Sequence, residues 1–149
     1  MQANFDKFGI RFQYPDNWTL EADDVLRGQG AISVYSPGGG FWSVTVHGPD
    51  DKPEELIGAV VEAMRNLYED LDAEERLETI DGRAVFGCEI NFYCLDLTNT
   101  ATVRVIHSPR ANYLVVCQAE DREFAELENV FAAMTASLIK QSEWLQEDA

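Results

Sequence analysis

A chain of 149 residues with 46% hydrophobic and 26% charged side chains has the size and make-up of one ordinary globular domain, which argues against disorder. A chain this long folds without needing a disulfide or a metal. Its formal charge of −16, from 27 acidic and 11 basic residues, disfavours sequence-independent nucleic-acid binding, which depends on Lys and Arg neutralising phosphates, and disfavours docking on anionic membrane.

In chain order, Gly9 to Tyr14 alternates, with Ile10, Phe12 and Tyr14 on one side, and predicts a strand with one buried face. Pro15, Asp16 and Asn17 turn the chain, and Trp18 to Glu21 open a second extended piece. Asp23 to Gly30 reads as a polar loop. Ala31 to Ser36 and Phe41 to His47 alternate again, joined by a flexible hairpin connection at Pro37, Gly38, Gly39 and Gly40. The period then changes. Asp51 followed by Glu54 matches a capping box, with Pro53 in the first turn. Leu56, Val60, Met64, Leu67 and Leu71 recur every three or four residues, widened by Ile57, Val61 and Tyr68, which predicts a helix over about residues 52–70. Gly58 inside it costs ~1 kcal/mol against Ala, which points to close approach to a sheet.

Strands follow again. Arg76 to Ile80 is short and closes on an Asp81-Gly82 turn. Ala84 to Leu95 is long, with Phe86, Cys88, Ile90, Phe92 and Cys94 on one face. After a turn at Asp96 to Asn99, Thr100 to His107 carries Ala101, Val103 and Val105 on its inner face. Tyr113 to Gln118 is apolar on both faces, as a central strand covered on both sides would be. A second helix starts near Asp121 as N-cap, with a stripe of Phe124, Leu127, Phe131, Met134 and Leu138, and ends near Lys140. Strands, helix, strands, helix with short turns predict an α+β fold: a single antiparallel β-sheet of about six to seven strands with one helix packed on each face, an α/β/α sandwich. Residues 1–140 form one domain, and 141–149, with Trp144, a polar tail.

The charge is uneven. Residues 50–78 hold eleven acids and three bases, and residues 119–149 hold eight acids and two bases. Both segments read as helical, so the expectation is two acidic helix faces that keep the protein soluble or meet a basic partner. Three cysteines, Cys88, Cys94 and Cys117, show no C-x-x-C spacing and suit buried free thiols in a reducing compartment. The start of the chain lacks a basic segment followed by an apolar run, so with Met1 as native start the expected location is cytoplasmic. No apolar stretch approaches the ~20 residues of a membrane span, which predicts no membrane insertion.

The segment Phe8-Gly9-Ile10-Arg11-Phe12-Gln13-Tyr14-Pro15-Asp16-Asn17-Trp18 resembles the opening of the PsbP-like superfamily: a short apolar strand, then Pro, two variable residues and Trp. Ile80-Asp81-Gly82-Arg83-Ala84 resembles the turn before that family's long middle strand, and Ala136-Ser137-Leu138 the end of its last helix. The superfamily includes PsbP of photosystem II, DcrB-type bacterial proteins and a eukaryotic Ran-binding import factor. The resemblance implies binding and assembly rather than catalysis. Some cytoplasmic DcrB-like members look like chaperones for apolar helices of secreted effectors. Pro15 and Trp18 are structural in that pattern, a turn and a core plug, and fold analogy alone is a weak warrant for function.

No catalytic motif emerges from the residues. His47 and His107 end predicted strands without a neighbouring ligand at zinc spacing, so no metal or cofactor is expected, although joint action of the two in space stays open. No G-x-S-x-G elbow occurs, and the cysteines sit in apolar strands where a thiol keeps its proton. The glycine run leads into a strand, which is hairpin rather than phosphate-loop chemistry, and it positions Phe41 and Trp42 to approach a partner. The expected function is a non-catalytic protein-binding module, adaptor or chaperone-like, with a basic or apolar partner segment. Its candidate surface comprises Phe41, Trp42, His47, His107 and Trp144. The alternative is a small-ligand binder or enzyme with a pocket between sheet and helix, where His47, His107, Arg104 and Arg110 are the first residues to inspect. Self-association through a strand edge or the Trp144 tail is a further option.

Overall fold

The computed structural model describes residues 1–23 and 31–142. The described elements run β1 (Gln2–Lys7), β2 (Ile10–Pro15), β3 (Thr19–Asp23), β4 (Ala31–Tyr35), β5 (Phe41–His47), α1 (Pro53–Leu67), β6 (Asp72–Ile80), β7 (Arg83–Cys94), β8 (Leu97–His107), β9 (Asn112–Glu120) and α2 (Asp121–Gln141). β3 to β9 form one antiparallel sheet in the order β3-β4-β5-β9-β8-β7-β6. The doubly apolar Tyr113–Gln118 lies in its middle strand. Tyr113, Val115 and Cys117 enter one core, while Leu114 and Val116 meet the other.

Alternation in Gly9–Tyr14 predicts membership in that sheet. Instead β2 pairs with a strand that sequence pattern missed, Gln2–Lys7, in a separate hairpin. Its turn residues Phe8 and Gly9 have φ of 59° and 78°. The hairpin shares one sheet face with α2, and the helix takes up its backbone groups. Ser137 Oγ accepts from the Gln13 N–H at 2.9 Å, and Ser142 Oγ accepts from the Arg11 N–H at 3.1 Å and donates to the Arg11 carbonyl at 3.2 Å. An edge strand whose N–H and C=O groups are satisfied by a helix has no need of a second strand.

The α2 side holds the larger core. Phe5, Phe12 and Trp18 from the N-terminal segment meet Ile32, Val34, Trp42 and Val44 of the sheet and Phe131, Met134 and Leu138 of α2. Trp18 meets Phe131 edge-on at 5.9 Å. On the other side, Ile57 and Met64 of α1 pack on Cys88, Ile90, Ala101, Val103 and Val105, with Val60 beside them. Each large side chain so buried contributes ~1.5–3 kcal/mol before entropy is charged. The two amphipathic stripes therefore do clamp opposite sides of one sheet.

Details differ from the sequence pattern for local reasons. α1 has Lys52 as N-cap without a side-chain cap, because Asp51 Oδ2 instead accepts from the Gly48 N–H at 3.1 Å. The N-cap of α2 is Glu120, one residue before the expected Asp121, and its carboxylate accepts from the Arg122 and Glu123 N–H groups. Leu67 is 74% exposed and leaves the α1 stripe. A Cβ on Gly58 would meet no atom within 4 Å, so that glycine marks no close approach. The acidic run after α1 is β6, an edge strand, rather than helix. The tail with Trp144 lies outside the described residues, as does most of the Asp23–Gly30 loop. Among the described residues, no helix is long and apolar enough to cross a membrane.

Candidate functional site

Alternation along β4 and β5 sends Ile32, Val34, Trp42 and Val44 into the α2-side core. Ser33, Tyr35, Phe41, Ser43, Thr45 and His47 must then face the opposite side. That side belongs to α1 over β7 and β8, and none of these six residues contributes to the core beneath it. The cross-strand rows are Ser33–Ser43–Val116 and Tyr35–Phe41–Gln118. The result is a floor of small hydroxyl side chains bounded at one end by an aromatic pair. Tyr35 and Phe41 stand 5.9 Å apart between ring centroids, Tyr35 exposed and Phe41 half-buried. Strand spacing and rise give this open half-face ~200 Å².

The turn that presents Phe41 is fixed rather than flexible. Gly40 N–H donates to Ser36 Oγ at 3.0 Å, Ser36 N–H donates to the Gly40 carbonyl at 2.7 Å, and Ser36 Oγ donates to Glu123 of α2 at 3.3 Å. A Cβ on Gly40 would lie 3.2 Å from the Gln118 carbonyl and 3.0 Å from the Ala119 Cβ, so glycine is required there by close approach.

Both predicted histidines reach this same side, at the far end of the sheet. They pair with opposite edges of Asn112, in the row His47–Asn112–His107. Two strand spacings place them ~10 Å apart, too far for a direct proton transfer. Asn112 is fully buried, and its Nδ2 donates to the carbonyls of Gly48 (3.0 Å) and Asp51 (2.7 Å). Its Oδ1 therefore faces His107 Nδ1 at 2.7 Å, which makes that nitrogen the protonated one. His47 Nε2 bonds Thr45 Oγ1 at 2.9 Å. The row ties the segment before α1 to the sheet, with the Thr45 hydroxyl beside the His47 ring and the Asn112 amide beside that of His107.

Trp42 has no place on the surface. It is fully buried, its ring lies 4.6 Å from that of Phe12, and its Nε1–H donates to Thr135 Oγ1 at 3.0 Å. Alternation is the reason: if Phe41 faces out, Trp42 faces in. Two of the three thiols are shielded by burial. Cys88, Cys94 and Cys117 are free, and burial pushes the Cys117 thiol up to about 12 and raises that of Cys88. Among the described residues no group of His, Cys, Asp or Glu is placed to hold a metal ion.

A groove of about 300 Å³ lies on the other face, between α2 and the polar ends of β6, β7 and β8. Arg104 runs along its floor, paired with Glu78 at 3.3 Å and donating to Thr102 Oγ1 at 3.2 Å, and Arg76 pairs with Glu89 at 3.1 Å. Gly87 makes room: a Cβ there would lie 2.7 Å from the Val103 carbonyl and 3.3 Å from Arg104 Cγ. A second groove, of about 290 Å³, separates the hairpin from α2 and is lined by Gln13, Tyr14, Val130 and Met134. Of His47, His107, Arg104 and Arg110, only Arg104 lines either groove. Sequence reasoning missed Tyr35 and the Arg104–Glu78 pair. The first was within reach, since a hairpin centred on Gly38 sets Tyr35 opposite Phe41. The second depends on register across β6, β7 and β8, which no local pattern encodes.

No protein-family model and no curated protein sequence matches the chain. Solved structures do. Cyanobacterial PsbP (CyanoP) from Synechocystis is 16% identical with a TM-score of 0.59, over 92% of this chain and 89% of that one. The Ran-binding protein Mog1p of Saccharomyces cerevisiae is 14% identical with a TM-score of 0.55, over 95% and 92%. LpqN of Mycobacterium tuberculosis, involved in cell envelope biogenesis, is 15% identical with a TM-score of 0.54, over 90% and 87%. The order strands, helix, strands, helix and the sheet clamped between two helices are thus those of the PsbP-like fold, which this chain shares with PsbP and Mog1.

Proposed function

We propose that this protein is a non-catalytic protein-binding module, adaptor or chaperone-like, that engages its partner through the open half-face of β4, β5 and β9 beside α1. One observation carries the reading: the aromatic pair Tyr35–Phe41 stands beside small hydroxyl residues on a sheet side that α1 covers over β7 and β8. A stable complex covers ~800 Å² per partner, so a partner seated here extends beyond the ~200 Å² floor, onto α1 or the β3 edge. With a chain charge of −16, a partner segment bearing bases and apolar residues is the complementary one. The Ran-binding function of one structural neighbour supports a protein partner in general. Free thiols, two of the three buried, suit a reducing, cytoplasmic setting. The α2-side groove supports a ligand site less well, because Arg104 and Arg76 are already neutralised by Glu78 and Glu89.

Photo-crosslinking in native cells tests this. A benzoylphenylalanine at position 41 should trap a discrete partner, whereas the same group on the acidic face of α1 at position 62 should not. Equal or absent trapping at both positions would count against the open half-face.

A further inference from the structure

A second interaction surface follows from the edge strand β6. It spans nine residues, Asp72 to Ile80, and forms one outer edge of the sheet. Asp72 to Leu77 are all exposed, and Leu77 reaches 75%. Pairing with β7 runs from Asp72–Asn91 to Ile80–Arg83 without a skipped residue, so no bulge twists the edge away, and no proline interrupts it. Alternate residues therefore hold N–H and C=O groups outward, ready to pair with another strand. Among the described residues the other edge, β3, has five, Thr19 to Asp23.

Charge decides which strand can pair. β6 carries four acids, Asp72, Glu74, Glu75 and Glu78, against one base, Arg76. Arg76 is engaged by Glu89 at 3.1 Å and Glu78 by Arg104 at 3.3 Å. Among the described residues, Asp72, Glu74 and Glu75 have no ion pair. A second copy of β6 would bring the same net negative charge to the edge, and like charges across a strand pair destabilise it. An extended basic strand meets the opposite situation. The register places Glu75 and Leu77 on the α1 side and Glu74 on the α2 side, so lysines or arginines on both faces of the incoming strand find carboxylates, and an apolar residue finds Leu77.

We propose that β6 is a docking edge for an extended basic segment of a partner protein, added to the sheet as an eighth strand. It is independent of the open half-face. The probe is a synthetic nine-residue peptide of three Lys-Lys-Val repeats, which puts lysines on both faces of an extended strand, with the corresponding Glu-Glu-Val peptide as control. Amide exchange of the ¹⁵N-labelled protein should slow at alternate β6 residues on saturation with the lysine peptide and remain unchanged with the control. The Glu74→Lys/Glu75→Lys variant should bind roughly tenfold or more weakly. Should that variant misfold, raising the salt on wild type should weaken binding while the residual complex still protects β6. Binding without β6 protection, or with shifts spread equally over the acidic helix faces, reduces the effect to general charge attraction and overturns the proposal. Because the readout is at β6, it can fail while trapping at position 41 succeeds, and the reverse.

Discussion

Replacing Asn112 by alanine separates a structural role of the histidine row from a chemical one. The side chain makes three bonds: from His107 Nδ1 at 2.7 Å, and to the carbonyls of Gly48 at 3.0 Å and Asp51 at 2.7 Å. Each is worth about 0.5–1.5 kcal/mol net. Gly48, Asp51 and His107 are exposed residues, so water can replace part of what is lost. The expected loss is thus about 2 kcal/mol, towards the lower end of the roughly 1.5–4.5 kcal/mol that three such bonds span. His107→Ala removes only one of the three bonds and should cost under ~1 kcal/mol. Urea unfolding gives both numbers, with a lower midpoint and an unchanged slope. Amide exchange should also quicken in the first turn of α1, where Glu55 and Leu56 N–H bond the Lys52 carbonyl. An Asn112→Ala midpoint equal to wild type, with the first turn of α1 equally protected, would refute the assignment of this row to holding α1 on the sheet.

Trp42→Ala should destabilise by about 3–5 kcal/mol in chemical denaturation, as expected of a large core residue rather than a surface one. Gly58→Ala should stabilise by about 0.5–1 kcal/mol in the same assay, since its Cβ meets nothing. Alkaline pH should unfold the protein. Burial raises Cys117 from 9.0 and Tyr113 from 10.0 to about 12 each. Both folded pKa values are raised, so this stability is full below pH 9 and is lost as pH rises towards 12. Thermal melting across that window should fall, and Cys117→Ala should fall less steeply at its start.

Elements with a strong period were legible from residues alone. The stripe Phe124–Leu138 placed α2 and its core contacts, and the doubly apolar Tyr113–Gln118 placed the central strand. Gln2–Lys7 was not legible, because only Phe5 among its residues is buried. Its strand state comes from pairing with β2 and from Ser137 and Ser142 on a helix more than 120 residues away. β6 was cut short for a related reason: with Asp72 to Leu77 exposed, it carries no hydrophobic alternation. Of the candidate surface, Phe41 and His47 share the open side and His107 sits at its far end, while the alternation that exposes Phe41 buries Trp42. The aromatic partner of Phe41 required the hairpin register, and the floor beside it required knowing where α1 sits.

Hydroxyl-radical footprinting of the protein, free and in complex with whatever position 41 traps, tests the open half-face most directly. Oxidation of Tyr35 and Phe41 should drop in the complex, while Tyr93, 52% exposed on the opposite sheet face, stays as reactive as in the free protein. Undiminished labelling of Tyr35 and Phe41 with protection at Tyr93 would contradict the proposal and move the partner to the other side of the sheet.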